Sequence, residues 1–344
     1  TENHYIVLVD KIERSLECYK NVRQRVIAIP QRFLTRLWMQ IAVPQVVAAE
    51  KVGLIHYTKG LSVALSRATT VLTIYDLTAL LLPWTQSPID YGYWKYIQPY
   101  AARNAGRILT GSCDAKKDIE RFYRVQPDRI QVTPFAPSPR LTRLEDQAIL
   151  ATAKERFGLT GRVVLFVGSL ARKKNVSTLI RAFSMLKTRL KSQCSLVAVG
   201  RRYEQSDDRE VFSLVRQLGV DQEVIFTGAV SDEDLRLMLN VADVFAFPSL
   251  HEGFGIAPLE AMACGVPVVT TACGSLPEVI GDAGVMVKDP LNAGELACAL
   301  EEVLLNSELR ERLVHRGLER VKMYSWERTA QETLKAYEIA GGKC

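Results

Sequence analysis

Two glutamates eight positions apart, Glu252 and Glu260, flank a glycine-bearing turn in the run PSLHEGFGIAPLEAMACGVP, from Pro248 to Pro267. A carboxylate accepts charge-assisted hydrogen bonds from hydroxyl groups, so two of them at this separation suit a long polyhydroxylated ligand gripped at both ends. Between them Gly253 and Gly255, with Phe254 in the middle, let main-chain amides approach a ligand closely. A second set of charges, Lys173 and Lys174 in SLARKKN, directly follows the apolar run RVVLFVG. Anionic acceptors at either end, with cations and amides between, match the needs of a sugar nucleotide, whose hydroxyl-bearing ends are joined by a diphosphate.

These residues need elements to hold them. VADVFAFPS reads as a buried parallel strand, and PLEAMACGV has helical composition, with Pro258 suited to a first turn and Gly265 to a stop. The unit is therefore strand, loop, helix. In open α/β sheets ligands collect at the carboxyl ends of strands, and amides at a helix N-terminus bind phosphate. Glu252 then lies in the loop and Glu260 in the first turns of the helix, facing one pocket from different heights. Lys173 and Lys174 occupy the equivalent place between RVVLFVG and the helix STLIRAFSMLKTRL. Two glutamates at this spacing arise by chance in most chains of this size, and it is the flanking strand, loop and helix that give the pair meaning.

The same alternation runs along the whole chain. In the first half, strands are expected at HYIVLVD, RVIAIP, GLIHYT, TTVLTIYD, GRILTGS and RIQVTPF, in one parallel sheet, with helices near Leu34 to Glu50, Tyr91 to Asn104 and Asp114 to Tyr123. Pro134 to Arg143, with three prolines and little periodicity, reads as a linker. The second half adds the strands SLVAVG, EVIFTGAV, VPVVTTA and GVMVKDP, and three closing helices near Ala293 to Leu305, Glu308 to Lys322 and Trp326 to Ile339. The expected architecture is α/β: two Rossmann-like domains facing a cleft, residues 1–140 and 141–324, and a closing helix over 325–344. Loops at Gly200-Arg201-Arg202, Thr227-Gly228-Ala229 and Gly274-Ser275-Leu276 follow strands of the second domain, and Gly228 is placed at the nucleotide.

Composition excludes several classes. The 344 residues, 48% apolar and 24% charged, have the balance of a globular protein of about two domains. No apolar run reaches the roughly 18–20 residues of a membrane span; VLTIYDLTALLLPW is cut by Asp76 and Pro83. Seven cysteines without CxxC or CxxH spacing, and four dispersed histidines, give neither a disulfide framework nor a metal centre, and fit a cytoplasmic setting. Asp232-Glu233-Asp234 formally satisfies a D-x-D metal triplet, but Ser231 before it and an apolar periodic run after it read as a helix start. Residues 1–140 hold 19 Lys and Arg against 11 Asp and Glu, a net of +8, whereas residues 141–344 hold 25 against 27, a net of −2. The excess includes Lys116, Lys117, Arg121 and Arg124 on one helix, a face suited to an anionic membrane surface or a phosphate-bearing acceptor, or simply a solvated one.

FPS-x-x-EGFG-x-x-x-LEAMACG-x-PVV resembles the signature of the retaining family 4 glycosyltransferases of GT-B fold, and the resemblance extends over essentially the whole chain. It implies a nucleotide diphosphate sugar as donor and a glycan or lipid-linked acceptor, with no metal, no cofactor and no nucleic acid partner. By that resemblance Glu252 lies at the donor sugar, Glu260 binds the ribose hydroxyls, and Lys174 of an R-K-N-like motif meets the diphosphate, with Lys173 at the Arg position. Many members carry an Arg after the strand glycine; here it is Ser169, which leaves Arg172 or Lys173 to substitute. The stretch TIYDLTALLLP is similar to the family's T-x-H-D strand end, with Tyr75 at the His position and Asp76 matching. Tyrosine does not titrate near neutrality, so an imidazole role is lost. Asp76 also suits a cap on the segment after it.

The implied work is transfer of a hexose of mannose or glucose type in cell-surface polysaccharide synthesis, at the inner face of the plasma membrane. Family members open with a further strand and Gly-rich loop, which nothing before Thr1 supplies, so an incomplete first domain and weak transfer are expected. Two alternatives stay open: a non-catalytic binding or assembly protein, and a sugar-nucleotide epimerase of the same fold.

Overall fold

Short apolar runs become parallel strands, and the amphipathic stretches between them become the crossover helices that parallel pairing requires. The computed structural model describes residues 3–27, 35–58, 68–190, 192–201 and 206–342. The first half comprises β1 (Tyr5–Val9), β2 (Val22–Val26), α1 (Thr35–Ala49), β3 (Leu54–Tyr57), β4 (Thr69–Thr73), α2 (Thr78–Leu81), α3 (Pro88–Gly92), α4 (Gln98–Asn104), β5 (Arg107–Thr110), α5 (Cys113–Tyr123) and β6 (Ile130–Val132). The second comprises α6 (Gln147–Arg156), β7 (Arg162–Val167), α7 (Val176–Arg189), β8 (Cys194–Val199), α8 (Ser206–Gln217), β9 (Val224–Gly228), α9 (Asp232–Val241), β10 (Val244–Phe247), α10 (Ile256–Ala263), β11 (Val268–Thr271), α11 (Leu276–Ile280), β12 (Gly284–Val287), α12 (Ala293–Leu305) and α13 (Ser307–Val321). The helix α14 (Trp326–Ala340) follows them.

In the second unit the parallel order is β12-β11-β10-β7-β8-β9. The chain starts at β7, winds outward to β9, then returns to β10 and winds the other way, so the order reverses between β7 and β10. That reversal opens a crevice at the carboxyl ends of these two neighbours, the general ligand position of doubly wound sheets. Phe166, Leu165, Phe245 and Phe247 are fully buried beneath it.

The first unit carries β3-β4-β5-β6, also parallel. Its core on one face joins Val43 and Val47 of α1, Ala101 and Ala102 of α4, and Ile119 and Tyr123 of α5 to the strands. The other face is covered by α14, through Ala336 packed against Val71 and Leu109. His56 ties the same helix down: its Nδ1 lies 2.7 Å from the Tyr337 hydroxyl and its Nε2 2.8 Å from Thr73 Oγ1. Burial holds this imidazole at a pKa of about 4.

Three expectations need correction. The first half does not form one sheet: among the described residues β1 and β2 pair in parallel with each other and stand apart from the four-stranded sheet. RVIAIP contributes only Arg25 and Val26 to β2, which begins at Val22, and residues 28–30 lie outside the described residues. The helix α6 had no counterpart in the sequence reading, although Asp146 marks its start by accepting from the Ala148 and Ile149 amides. Among the described residues no helix is long and apolar enough to cross a membrane.

Candidate active site

Lys174 and Glu252 stand on the two sides of the strand reversal, one after β7 and the other after β10. Their side chains meet there, with Lys174 Nζ 2.5 Å from Glu252 Oε1. Both are largely buried, Glu252 at 8% exposure. A buried carboxyl needs its lone pairs filled, and Ser249 Oγ donates to the same Oε1 at 2.5 Å. The loop's main chain is fixed as well: Ser275 donates to the Glu252 carbonyl through its amide at 3.0 Å and its hydroxyl at 2.9 Å. Thr271 Oγ1 holds the Ser249 carbonyl, and Asn175 Nδ2 reaches Pro248 O at 3.1 Å.

After Glu252 the chain turns through Gly255, whose φ of +93° is a left-handed value that favours glycine. Gly255 is also the N-cap of α10 and provides no side-chain cap, which leaves the first amides of that helix for a ligand. Glu260 lies further along α10 and turns toward the linker. Burial raises its carboxyl to a pKa of about 7; the Ser138 amide works against the rise and Asp232 adds to it. Gly228 ends β9 with φ +72°, its carbonyl accepting from the Gly200 amide at 3.0 Å. Arg201 follows Gly200, and Arg202 lies outside the described residues.

The first unit enters the same place from the end of β4. Lys173 Nζ lies 3.4 Å from Asp76 Oδ2, an ion pair between the units. Asp76 Oδ1 also accepts from the Thr78 amide at 2.9 Å, which is the local cap on α2. Burial pushes the Asp76 carboxyl up, but Lys173 and the Thr78 amide outweigh it and hold it below the ordinary carboxylate range. Burial likewise lowers the Lys173 ammonium, and Asp76 and Glu252 more than reverse that. Tyr75 is 44% exposed and leans on Phe135, ring centroids 5.3 Å apart; burial raises its phenol further from neutrality. Arg172 pairs with Glu210 at 3.7 Å, so of the two candidates beside Ser169 it is Lys173 that lies at the cleft centre.

Packing constrains two residues of the turn. A Cβ at Gly253 would stand 1.9 Å from the Tyr75 carbonyl and 2.7 Å from Asp76 Cβ, so this glycine lets the two units touch. Phe254 is buried against Phe135 and Tyr324, at 5.2 and 5.6 Å between centroids, which leaves only its main chain for a ligand. The Asp232-Glu233-Asp234 triplet is the first turn of α9, capped by Ser231 Oγ on the Asp234 amide at 3.1 Å.

Sequence spacing missed what long-range folding brings together. Asp114 and Asp118 on α5 converge with His251 from the loop before Glu252, a group whose ligand atoms lie close enough to hold a metal ion. His251 Nε2 is 3.7 Å from Asp118 Oδ2. Also unforeseen, Glu278 of α11 receives the amides of Cys113 and Asp114, at 2.9 and 3.1 Å, across the cleft.

Residues 150–320 match the family profile "Glycosyl transferases group 1". O-antigen chain mannosyltransferase B of Escherichia coli is 31% identical over 276 residues, 80% of this chain and 71% of that protein. MMP alpha-(1->4)-mannosyltransferase of Mycolicibacterium hassiacum is 28% identical over 262 residues, and the matched region spans 75% of this chain and 60% of that protein. Among solved structures, Anabaena HepE in complex with UDP-glucose superposes with a TM-score of 0.77 at 19% identity, over 98% of this chain and 91% of that one. The chain belongs to the group 1 glycosyltransferases and has the GT-B fold.

Proposed function

We propose that this glycosyltransferase moves a hexose, of mannose or glucose type, from a nucleotide diphosphate donor to a glycan or lipid-linked acceptor, with retention at the anomeric carbon and without a metal. The observation that carries the reading is the Lys174–Glu252 pair at the strand reversal. A diphosphate arriving at Lys174 exchanges with the Glu252 carboxyl, which then turns to the sugar hydroxyls and supports positive charge near the anomeric carbon. Lys174 and the open amides of α10 stabilise the charge that develops on the leaving diphosphate, which is where such donors lower a barrier most. Glu260 holds the ribose. The carboxyls of Glu252 and Asp76 are each engaged by a lysine and a further donor, which supports an electrostatic part and a front-face route over covalent attack.

The setting is cell-surface polysaccharide synthesis, as the E. coli relative's name indicates for that protein. Lys117, Arg121 and Arg124 line the exposed side of α5 and suit an anionic membrane surface at the cytoplasmic face, with Lys116 turned instead to the Ile130 carbonyl. The test is incubation with GDP-mannose or UDP-glucose and a mannose-terminated oligosaccharide, followed by NMR of the new linkage. An α-linked product from an α-linked donor is expected. An epimerised free sugar nucleotide, an inverted linkage, or a folded protein that binds no nucleotide diphosphate would each overturn the reading.

A further inference from the structure

The N-terminus of α5 is satisfied in an unusual division of labour. A helix leaves its first amides without intrahelical partners. Of the three in its first turn the N-cap Ser112 takes one, its Oγ accepting from the Ala115 amide at 3.1 Å, while its carbonyl accepts the first intrahelical bond, from the Lys116 amide at 3.1 Å. The remaining two, Cys113 and Asp114, donate to Glu278 Oε1 and Oε2, one each, from the opposite unit. All three amides of the first turn are filled, two of them by a carboxyl that is foreign to the helix and its sheet. Hydrogen bonds from amides to a carboxylate are of the stronger, charge-assisted kind, and the charge lies favourably on the helix dipole.

The geometry around this contact leads to the loop that carries Glu252. Ser112, fully buried, uses its hydroxyl proton on the Gly253 carbonyl at 2.7 Å while its oxygen caps α5. On the other side Ser275, three residues before Glu278, holds the Glu252 carbonyl. Two successive carbonyls of the loop are therefore gripped from two units, and Glu278 joins the elements that grip them. The backbone of α11 is anchored independently of this side chain: Arg320 donates through Nη2 to the Glu278 carbonyl and through Nε to the Val279 carbonyl.

We infer that Glu278 is a positioning residue for transfer, which seats α5 against α11 and so sets the Glu252 loop for the sugar. The inference rests on the reading of Glu252 as the residue at the donor sugar. Glu278 touches no part of the donor itself; its effect passes through Ser112 and the Gly253 carbonyl. Its loss leaves nucleotide binding at Glu260 and Lys174 in place and removes alignment.

The test compares the unsubstituted chain with Glu278→Ala and Glu278→Gln, by amide hydrogen exchange, GDP calorimetry and turnover of GDP-mannose. In Glu278→Ala the amides of Cys113 and Asp114, and those of Gly253 to Gly255, exchange about tenfold faster or more while the strands keep their protection. Turnover at saturation falls about tenfold to a hundredfold, as small misplacements of reacting groups do, with the GDP affinity within about twofold. Glu278→Gln keeps one acceptor oxygen and recovers part of both quantities. Unchanged exchange at all five amides would overturn the inference, and so would faster exchange with unchanged turnover, or a loss of GDP affinity as large as the loss of turnover. The exchange arm needs no donor. It decides whether Glu278 holds the loop even where GDP-mannose gives no turnover in the unsubstituted chain, a result that counts against the donor assignment alone.

Discussion

The two units meet the cleft with opposite economies of charge. In the second unit the charged groups of the site answer each other within one sheet, Lys174 with Glu252 across the strand reversal, and the loop between them is fixed by Ser249, Ser275 and Thr271 of the same unit. In the first unit the groups at the cleft find their partners across it: Asp76 with Lys173, Ser112 with Gly253, and the α5 amides with Glu278. On the proposed reading, the difference separates binding from alignment. One unit completes the polar groups of its site within itself, and the other has its polar groups completed only when the two are together.

The sharpest way to break this division is at Glu252. Glu252→Gln keeps the volume and removes the charge, and turnover is expected to fall at least about a hundredfold with little change in GDP affinity, the pattern of an interaction made in the transition state. Steady-state kinetics beside calorimetry would show it, and equal losses in both would put Glu252 among the ground-state contacts. Gly253→Ala attacks the seam instead. A methyl 1.9 Å from the Tyr75 carbonyl forces the units apart, so turnover should drop about tenfold to a hundredfold while the second unit still binds GDP. Retained activity would mean that the close approach is incidental.

Glu260→Ala should do the reverse of Glu252→Gln and weaken GDP about tenfold, since it removes a charge-assisted acceptor for the ribose. The same residue gives binding a pH dependence. Its carboxyl, raised by burial to about 7, must ionise to accept two hydroxyls, so affinity should rise with pH up to about 7 and level off above. Calorimetry below pH 7 in buffers of different ionisation heat should record proton release, and Glu260→Gln should abolish it. The smallest effect concerns the first unit's fold. His56 titrates at about 4 when folded against 6.5 for the free side chain, so its contribution is intact above about 6.5 and is lost as pH falls toward 4. Thermal melts should show a loss on the order of 1–3 kcal/mol over that window. His56→Gln, which keeps a donor and an acceptor, should flatten the slope.

The division also governs what the sequence could disclose. Lys174, Glu252 and Gly255 were legible because strand ends, glycine turns and helix starts are local, and a doubly wound sheet brings them to one edge by topology alone. Asp146 carries a local signal for α6, masked by the proline-rich linker beside it. That Tyr75 lies against Gly253 is not legible, because nothing near the glycine in sequence shows it. Glu278, and His251 with Asp114 and Asp118, lie more than 130 residues from their partners, and no periodicity reports a contact of that range. The separate pairing of β1 with β2 is likewise invisible, since β2, VRQRV, has three polar residues out of five and no local pattern tells which strand lies beside which.

The chain passes between the units twice, at residues 133–146 and again just before α14, and the two passages lie side by side: Trp326 Nε1 donates to the Pro137 carbonyl at 3.2 Å and Thr329 Oγ1 to the Pro134 carbonyl at 2.6 Å. A body joined to another by two adjacent threads can swing, but it cannot translate or twist freely. Phe135 and Tyr324, one at each thread, clasp Phe254 between them, two residues from Glu252. Rotation displaces points in proportion to their distance from the pivot. The Glu252 loop therefore sits where a swing moves atoms least, and the far rim of the cleft carries the travel, so substrate can enter and leave with little disturbance of the loop.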